Sequence, residues 1–246
     1  MTSIIPPSND RKAQTPTTIS PTKPDAAMMQ GTPNEVQMKK VLGRWDNEGG
    51  AGPDGPQESH GVRPTSADCD APPRFEYRWH QNLTGGGHVL IRPITKLDDN
   101  AERAFIEGLS SNAQRMRFMA QVKHPSDKLI SQLTDVDGVN QVALIAVMKD
   151  GAAEKIVGVS RYSLDTAKNR CECALVVSDD WQHKGLGTAL MRHLIDIARS
   201  RKISALESIE FAENTEMRTL MHELGFHLRS DPDDASQVIY RLELSS

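Results

Sequence analysis

The amino-acid sequence predicts an α+β fold, with a mixed, mostly antiparallel central sheet flanked by helices. Three strand-like runs follow one another in the middle of the chain, and the segments between them have the turn composition of β-hairpins. Helical runs come before and after these strands, and the later strands and helices do not alternate strictly. Strict alternation would have favoured an all-parallel sheet, so this order indicates the mixed class.

The N-terminal part of the chain differs in composition from the rest. Eleven of the 14 prolines and seven of the 17 glycines lie at or before Pro73. Such a segment cannot bury enough apolar surface to offset its ordering entropy. We therefore expect residues 1–84 to form a disordered extension and residues 85–246 to form the folded domain. The run NEVQMKKVLGRW, at residues 34–45, is either a short helix or docking motif, or plain linker.

The folded domain begins with a strand and three helices. HVLIRPI, at residues 88–94, is typical of a strand, and DDNAERAFIEGL, at residues 98–109, predicts a helix that Asp98 or Asp99 caps. Two more helical stretches follow, SNAQRMRFM (residues 111–119) and SDKLISQLTDV (residues 126–136), the second with Ser126 as its cap.

The second half of the domain begins with the three successive strands, which should form an antiparallel meander. They are VALIAVM (residues 142–148), KIVGVSRYSL (155–164) and CECALVV (171–177). The next helix has one apolar face, made by Leu186, Leu190, Leu194, Ile197 and Ala198 at helical spacing. The chain ends with a strand, LESIEF (206–211), a helix, TEMRTLMHELG (215–225), and a last strand, QVIYRLEL (237–244).

Composition argues against several classes of function. The chain has 33 acidic and 29 basic residues, so it lacks the basic field that gathers nucleic acid, and we expect no nucleic-acid partner. No apolar run approaches a membrane span, and the N-terminus lacks the apolar middle of a signal peptide. The three cysteines make no disulfide framework, and no cluster has metal-ligand spacing. We expect a cytoplasmic protein with no membrane partner and no metal.

A turn with two glycines, Gly185 and Gly187, precedes the long apolar-faced helix. Glycine is a poor helix former, but it lets a ligand approach the backbone closely. The free N–H groups at a helix start and the positive end of the helix dipole attract phosphate. A P-loop would end in Gly-Lys-Ser/Thr, and a dinucleotide fingerprint would need a third glycine where Leu190 stands, so neither motif fits.

The pattern that fits is Gln182-x-x-Gly185-x-Gly187, and with it the sequence resembles the GNAT family of N-acetyltransferases. The motif follows a three-strand meander, as it does in that family. The later stretch at residues 214–226, NTEM followed by LGF, matches the family's next helix. The resemblance covers about residues 88–244 and implies the GNAT fold.

The resemblance implies a site for acetyl-CoA. In this family the glycine turn wraps the pyrophosphate, and the preceding strand binds the pantetheine arm through its backbone. Carried onto this chain, Leu175, Val176 and Val177 would pair with pantetheine, and Asn214 would touch the cofactor's arm. The remaining implied cofactor-binding residues form the turn: Gln182, His183, Lys184, Gly185, Leu186, Gly187 and Thr188.

One carboxylate, Glu172, lies in the otherwise apolar strand that leads to this turn. Acetyl transfer to lysine needs a proton acceptor, because an ammonium with a pKa of about 10.4 has no lone pair. From the pattern alone, Glu172 is either that base or a structural residue that faces solvent or pairs with Arg161 or Arg170. The bacterial protein-lysine acetyltransferases look similar over a longer span, including residues 115–118, 133–137 and 142–147, and have their catalytic glutamate at this place. That resemblance implies that Glu172 is the general base.

The chain departs from the wider family at Met221. Many relatives carry a tyrosine there that protonates the departing thiolate, whereas the lysine-acetylating subfamily manages without it. A thiolate is also a tolerable leaving group, because a thiol has a pKa of about 8–9. His183 and His222 flank the implied site and are alternative acids or bases.

These observations predict an acetyl-CoA-dependent N-acetyltransferase that acetylates lysine side chains of proteins by direct transfer. Two alternatives stay open at this point. One is an enzyme of the same fold that acetylates a small amine, such as a polyamine or an antibiotic. The other is a non-catalytic acyl-CoA-binding regulator whose N-terminal tail binds a partner.

Overall fold

The computed structural model describes residues 77–151 and 153–244, so the run at residues 34–45 lies outside the described residues. An eight-stranded sheet in the order β1-β2-β3-β4-β5-β6-β8-β7 forms the centre of this region. The elements in chain order are β1 (Trp79–Asn82), β2 (His88–Pro93), α1 (Asp99–Gly108), α2 (Ser111–Phe118), α3 (Asp127–Thr134), β3 (Gln141–Asp150), β4 (Ala153–Asp165), β5 (Arg170–Val177), α4 (Leu186–Ser200), β6 (Ala205–Phe211), α5 (Thr215–Glu223), β7 (His227–Ser230) and β8 (Gln237–Glu243).

The sheet is mostly antiparallel, as the sequence predicted. β5 and β6 run parallel to each other, whereas all the other neighbouring strands pair antiparallel. The meander of β3, β4 and β5 is confirmed, and the fold is of the predicted α+β class. Two short strands, β1 and β7, were not predicted. Because β1 lies at residues 79–82, the sheet begins before the predicted boundary at residue 85.

Helices cover both faces of the sheet. On one face, α4 buries its predicted apolar stripe, and each of its five side chains is at most 3% exposed. On the other face, the helices α1, α2 and α3 contribute Phe105, Phe118 and Leu129 to a second core cluster that includes Ile145 and Val159 of the sheet. The central strands are therefore buried on both sides, as their nearly continuous apolar runs require.

One of the two predicted helix caps is confirmed. Ser126 accepts a hydrogen bond from the backbone N–H of Leu129 at 3.2 Å and caps α3. The Asp98 carboxylate does not cap α1; it accepts hydrogen bonds from the backbone N–H of Thr95 at 2.8 Å and from Arg92 at 2.7 and 2.9 Å. The Asp98 carboxylate binds the Arg92 guanidinium instead of the helix N–H groups, because a bidentate, charge-assisted hydrogen bond is the stronger interaction.

The parallel strands β5 and β6 separate partway along their length. They pair only where Arg170–Glu172 runs beside residues 205–207, and Glu172 stands opposite Glu207 at the last paired position. β5 nevertheless continues to Val177 and β6 to Phe211. A wedge therefore opens between the two strands beyond Glu172.

Candidate active site

An open cavity of about 740 Å³ lies at this wedge. Its walls come from the end of β5, the glycine turn and the start of α4 on one side, and from the end of β6 and α5 on the other. Helix α2 contributes Met116 and Arg117. The cavity therefore brings together three separate stretches of the chain, residues 112–117, 175–188 and 210–223.

The glycine turn forms the start of α4, as predicted. Gly185 has a φ of +82° in the left-handed region, which suits glycine best, and its carbonyl accepts the first helical hydrogen bond from Ala189 at 3.0 Å. A Cβ at Gly187 would lie 3.2 Å from Leu175 Cδ2 and 3.4 Å from Leu220 Cδ2, so a side chain there would crowd the cavity wall. The N–H groups of the first helical turn lack helical partners, and bare backbone beside them fits a phosphate group.

Most of the predicted cofactor-binding residues line this cavity. They are Leu175, Val176, Val177, Gln182, His183, Gly185, Gly187, Thr188 and Asn214. The other two lie apart from it. The Leu186 side chain is 1% exposed and packs beside Gly158, whereas the Lys184 ammonium donates to the backbone oxygen of Asp180 at 2.7 Å. Their predicted contacts were backbone contacts, which these side-chain positions do not test.

The turn is held in place by neighbouring segments. The Gln182 side chain donates to the Val177 carbonyl at 3.2 Å, and the Thr84 N–H donates to the Lys184 carbonyl at 3.2 Å. Asp179, just after β5, accepts two hydrogen bonds from Ser110, at 3.1 Å from its N–H and 2.6 Å from its hydroxyl. The turn is thus fixed to β5, to the β1–β2 hairpin and to the start of α2.

Asn214 caps the helix on the opposite side of the wedge. Its side-chain oxygen accepts a hydrogen bond from the N–H of Met217 at 3.1 Å, and its amide nitrogen lies 3.4 Å from Glu210 Oε2. The side chain therefore contacts both the start of α5 and a carboxylate of β6.

Glu172 lies where the paired part of β5 and β6 ends. It is half-buried and stands opposite Ser163 of β4 as well as Glu207 of β6. Of the two arginines considered from the sequence, Arg161 lies 3.7 Å from Glu102 and Arg170 lies 3.3 Å from Glu207. The residues that line the cavity do not include Glu172.

A second carboxylate, Glu210 of β6, lines the cavity and was missed in the sequence. It is 6% exposed and accepts a hydrogen bond from the Ser208 hydroxyl at 3.0 Å. Burial, the largest influence, and the charge of Glu172 raise the pKa of Glu210 to about 7, against the lowering effects of Ser208, Arg117 and Asn214. The signal was present, because Glu210 shares a face of LESIEF with Leu206 and Ser208 and is therefore predicted to point inward.

Arg117 is the cation of this site. Burial, the largest influence, lowers its pKa, while the charges of Glu210, Glu102 and Glu172 raise it, in that order. The guanidinium therefore interacts with carboxylates of α1, β5 and β6 and connects the two sides of the wedge. The stretch at residues 115–118, which carries part of the resemblance, contributes this residue and Met116 to the cavity.

The two predicted histidines lie at the periphery. His183 is exposed and lies 3.3 Å from Glu216 of α5, and His222 is exposed on the same helix. Met221 is fully buried in the core.

Within residues 77–151 and 153–244, no helix is long and apolar enough to cross a membrane. In the same region, no group of three or more His, Cys, Asp or Glu side chains is placed to hold a metal ion.

Comparison with known proteins agrees with this geometry. The family model described as the acetyltransferase (GNAT) family matches residues 95–226. "Acetyltransferase PA5475" of Pseudomonas aeruginosa is 42% identical over 166 residues, which span 68% of this chain and 89% of that protein. "Acetyltransferase Pat" of Mycolicibacterium smegmatis is 29% identical over 142 residues, 57% of this chain but 41% of that longer protein.

A solved structure shares the fold. The GNAT domain of S. lividans PAT superimposes with a TM-score of 0.61 at 24% identity, over 68% of this chain and 96% of that chain. The shared fold, the family match, the glycine turn and the cavity at the wedge all indicate the same family. The chain belongs to the GNAT family and is an acetyltransferase.

Proposed function

We propose that this protein transfers the acetyl group of acetyl-CoA directly to lysine side chains of proteins, with Glu172 as the general base. The observation that carries the proposal is the position of Glu172 at the last paired residue of β5, where the wedge opens. The resemblance of residues 115–118, 133–137 and 142–147 to the bacterial protein-lysine acetyltransferases supports the protein acceptor.

The cofactor would lie along β5 and the glycine turn. The backbone of Leu175, Val176 and Val177 would pair with pantetheine, and the N–H groups from His183 to Thr188 would hold the pyrophosphate. Gln182 would keep the turn closed, and Asn214 would contact the arm from across the wedge. Three features support this placement of acetyl-CoA: the cavity, Gly187 at its wall and the free N–H groups at the start of α4.

The transfer needs the residues of β5 in two roles. The Glu172 carboxylate takes one of the two protons that the acceptor nitrogen loses, directly or through a water molecule. The nitrogen lone pair forms the new C–N bond at the thioester carbon, and the C–S bond breaks so that its electrons leave on sulfur. An N–H near Leu175 would donate to the carbonyl oxygen as negative charge develops on it.

The rim of the cavity is acidic, which supports a cationic acceptor. Glu213, Glu216 and Glu223 line the cavity on the α5 side, and the first two are paired with Arg115 and His183. A lysine ammonium that approaches this side meets carboxylates before it reaches the wedge.

Cys171 and Cys173 are buried free thiols, which supports the reducing cytoplasm as the compartment.

The substitution Glu172→Gln tests the base. We expect kcat to fall about 10²–10⁴-fold with the dissociation constant for CoA nearly unchanged, because only proton transfer is lost. Steady-state kinetics and calorimetric CoA binding measure the two quantities. Glu207→Gln, the residue opposite Glu172 in the register, is the matched control and should keep most of the activity. A loss of less than about tenfold would overturn the base assignment.

The acceptor class is tested by measuring CoA thiol release from acetyl-CoA. A desalted native protein extract is compared with the small-molecule fraction of the same cells. Faster release with the protein fraction, lost in Glu172→Gln, supports lysine acetylation and justifies mapping the modified lysines. Release with the small molecules alone would make the protein a metabolite acetyltransferase instead, and no release with either would favour an acyl-CoA-binding regulator.

A further inference from the structure

The proposed reaction removes two protons from the acceptor nitrogen. A lysine side chain arrives as an ammonium, since its pKa is about 10.4, and leaves as an amide that carries a single N–H. One proton must leave before the nitrogen can attack, and the second must leave after the C–N bond has formed. Glu172 accounts for one of these transfers, and a second carboxylate beside the acceptor nitrogen would account for the other, while one of the two protons ends on the departing thiolate.

The wedge contains a second carboxylate in a suitable place. Glu210 lies three positions beyond Glu207, the last residue of β6 that pairs with β5, and it lines the cavity. It is buried, yet each of its oxygens has a neutral donor, Ser208 at 3.0 Å from Oε1 and Asn214 at 3.4 Å from Oε2. Glu172 and Glu210 therefore belong to the two different strands that bound the wedge.

We propose that Glu210 is a second catalytic residue, which receives the acceptor's ammonium from the β6 side of the wedge and takes its first proton. The proposal rests on the acetyltransferase function proposed above. The ammonium N–H donates to the Glu210 carboxylate, and the proton moves to it. The freed lone pair forms the C–N bond at the thioester carbon, and the C–S bond breaks with its electrons on sulfur. Glu172 takes the second proton and passes it to the departing thiolate. Glu210 then loses its proton to water through the open cavity.

The surroundings of Glu210 suit this role. Burial raises the pKa of Glu210 to about 7, which reduces the difference between this pKa and that of a lysine ammonium, about 10.4. Arg117, on α2, keeps enough of the ionised form by its positive charge. The charged and titratable groups whose charges interact with Glu210 come from α2, β5 and β8: Arg117, Glu172, Cys173 and Tyr240.

The test is the pH dependence of kcat/KM for Glu210→Gln, measured with whichever acceptor fraction releases thiol faster. The variant can use only acceptor amine that is already neutral, and this fraction rises tenfold per pH unit below its pKa. We expect a deficit of about 100-fold at pH 7 that shrinks to about 20-fold at pH 8, because the ionised fraction of Glu210 in the wild type also nearly doubles over this range. Glu172→Gln should show a deficit that does not shrink in this way, and Glu207→Gln should follow the wild type. A Glu210→Gln deficit that stays constant with pH, or no deficit, would overturn the proposal.

A second measurement does not depend on turnover. Infrared difference spectra of the wild-type protein minus Glu210→Gln, recorded from pH 5 to pH 9, should contain one carboxyl group that titrates near pH 7. If no carboxyl group titrates between pH 5 and pH 9 in these difference spectra, that result would contradict a proton-accepting role for Glu210. If small amines alone are acetylated and Glu210→Gln still shows the shrinking deficit, the lysine-of-protein function fails while the role of Glu210 stands.

Discussion

The buried Glu210 carboxylate links the chemistry of single residues to the stability of the protein. Its pKa is raised from 4.5 to about 7, so between these pH values the folded protein holds a proton that the unfolded chain has released. The free energy of unfolding therefore falls as pH rises from 4.5 to 7, and the carboxylate costs about 3 kcal/mol above pH 7. A residue kept at such a cost is more readily explained by catalysis than by folding.

Glu210→Gln should accordingly stabilise the protein at high pH. We expect its free energy of unfolding at pH 8 to exceed that of the wild type, by up to about 3 kcal/mol, and the difference to disappear near pH 4.5. Urea unfolding at several pH values measures this. Glu243→Gln, at an exposed carboxylate whose pKa is lowered, should show no such gain. Equal stability of Glu210→Gln and wild type at pH 8 would contradict the assigned burial cost.

The sequence predicted the conformation of single residues correctly where the residue type has few structural roles. Gly185 was expected to shape a turn and has a φ of +82°. Glu210 was overlooked because its partners Asn214, Arg117 and Glu172 come from three other elements, and only folding brings their charges within range. Asp98 occupies the N-cap position of α1, but its carboxylate makes no cap hydrogen bond because it binds Arg92 of β2, which the local sequence does not reveal.

Among the elements, α2 connects the cavity wall to the segment that follows β5. It contributes Met116 and Arg117 to the cavity wall, and the residue at its start is hydrogen-bonded to Asp179, just before the glycine turn. The Ser110 hydroxyl accepts from the N–H of Ala113 at 3.1 Å, as a helix cap, and donates to Asp179 at 2.6 Å. One side chain therefore sets both the start of α2 and its position against the turn.

Ser110→Ala removes both interactions. We expect the free energy of unfolding to fall by about 1–2 kcal/mol, since a lost cap costs about 0.5–2 kcal/mol and a hydrogen bond to a charged group contributes about 1.5–3 kcal/mol. Denaturant unfolding checks the stability, and calorimetry with CoA checks whether affinity falls with it. The neighbouring exposed Ser111, replaced by alanine, is the control. Unchanged stability would show that α2 is positioned by its apolar contacts alone.

Elements with a strong apolar pattern were predicted, and those without one were not. The meander and α4 carry long apolar runs or stripes, and both appear where expected. β7 has four exposed residues, and β1 reads WHQN, so neither shows the alternation that identifies a strand. Both are strands because a neighbouring strand offers them hydrogen bonds, which the local sequence does not reveal.

For the molecule as a whole, β1 decides where the folded domain begins. Its four residues pair with β2, the Trp79 ring stacks on His193 of α4 with centroids 4.0 Å apart, and Tyr77 stacks on Trp79 at 5.4 Å. Residue 85 was the predicted boundary, but these contacts attach the preceding segment to the domain. We propose that the folded unit needs the chain from residue 77.

Two truncated chains test this boundary. A chain of residues 77–246 should unfold at about the same temperature as the full chain, whereas residues 85–246 should lose at least about 2 kcal/mol, because burial of a large apolar side chain contributes about 1.5–3 kcal/mol. Calorimetric melting of the three chains provides the comparison, and Trp79→Ala in the full chain isolates the stacking. Equal melting of the two truncated chains would support the boundary at residue 85.

The separation of β5 and β6 also gives the sheet an edge inside the protein. Beyond Glu172, the backbone groups of β5 that face β6 have no partner strand in the part of the chain described. A row of unpaired N–H and C=O groups is a template for strand addition and aggregation. A pantetheine arm, with its two amides, would occupy this row as a short strand does. Acetyl-CoA bound in this way would supply hydrogen-bond partners to the inner edge of β5 as well as the acetyl group.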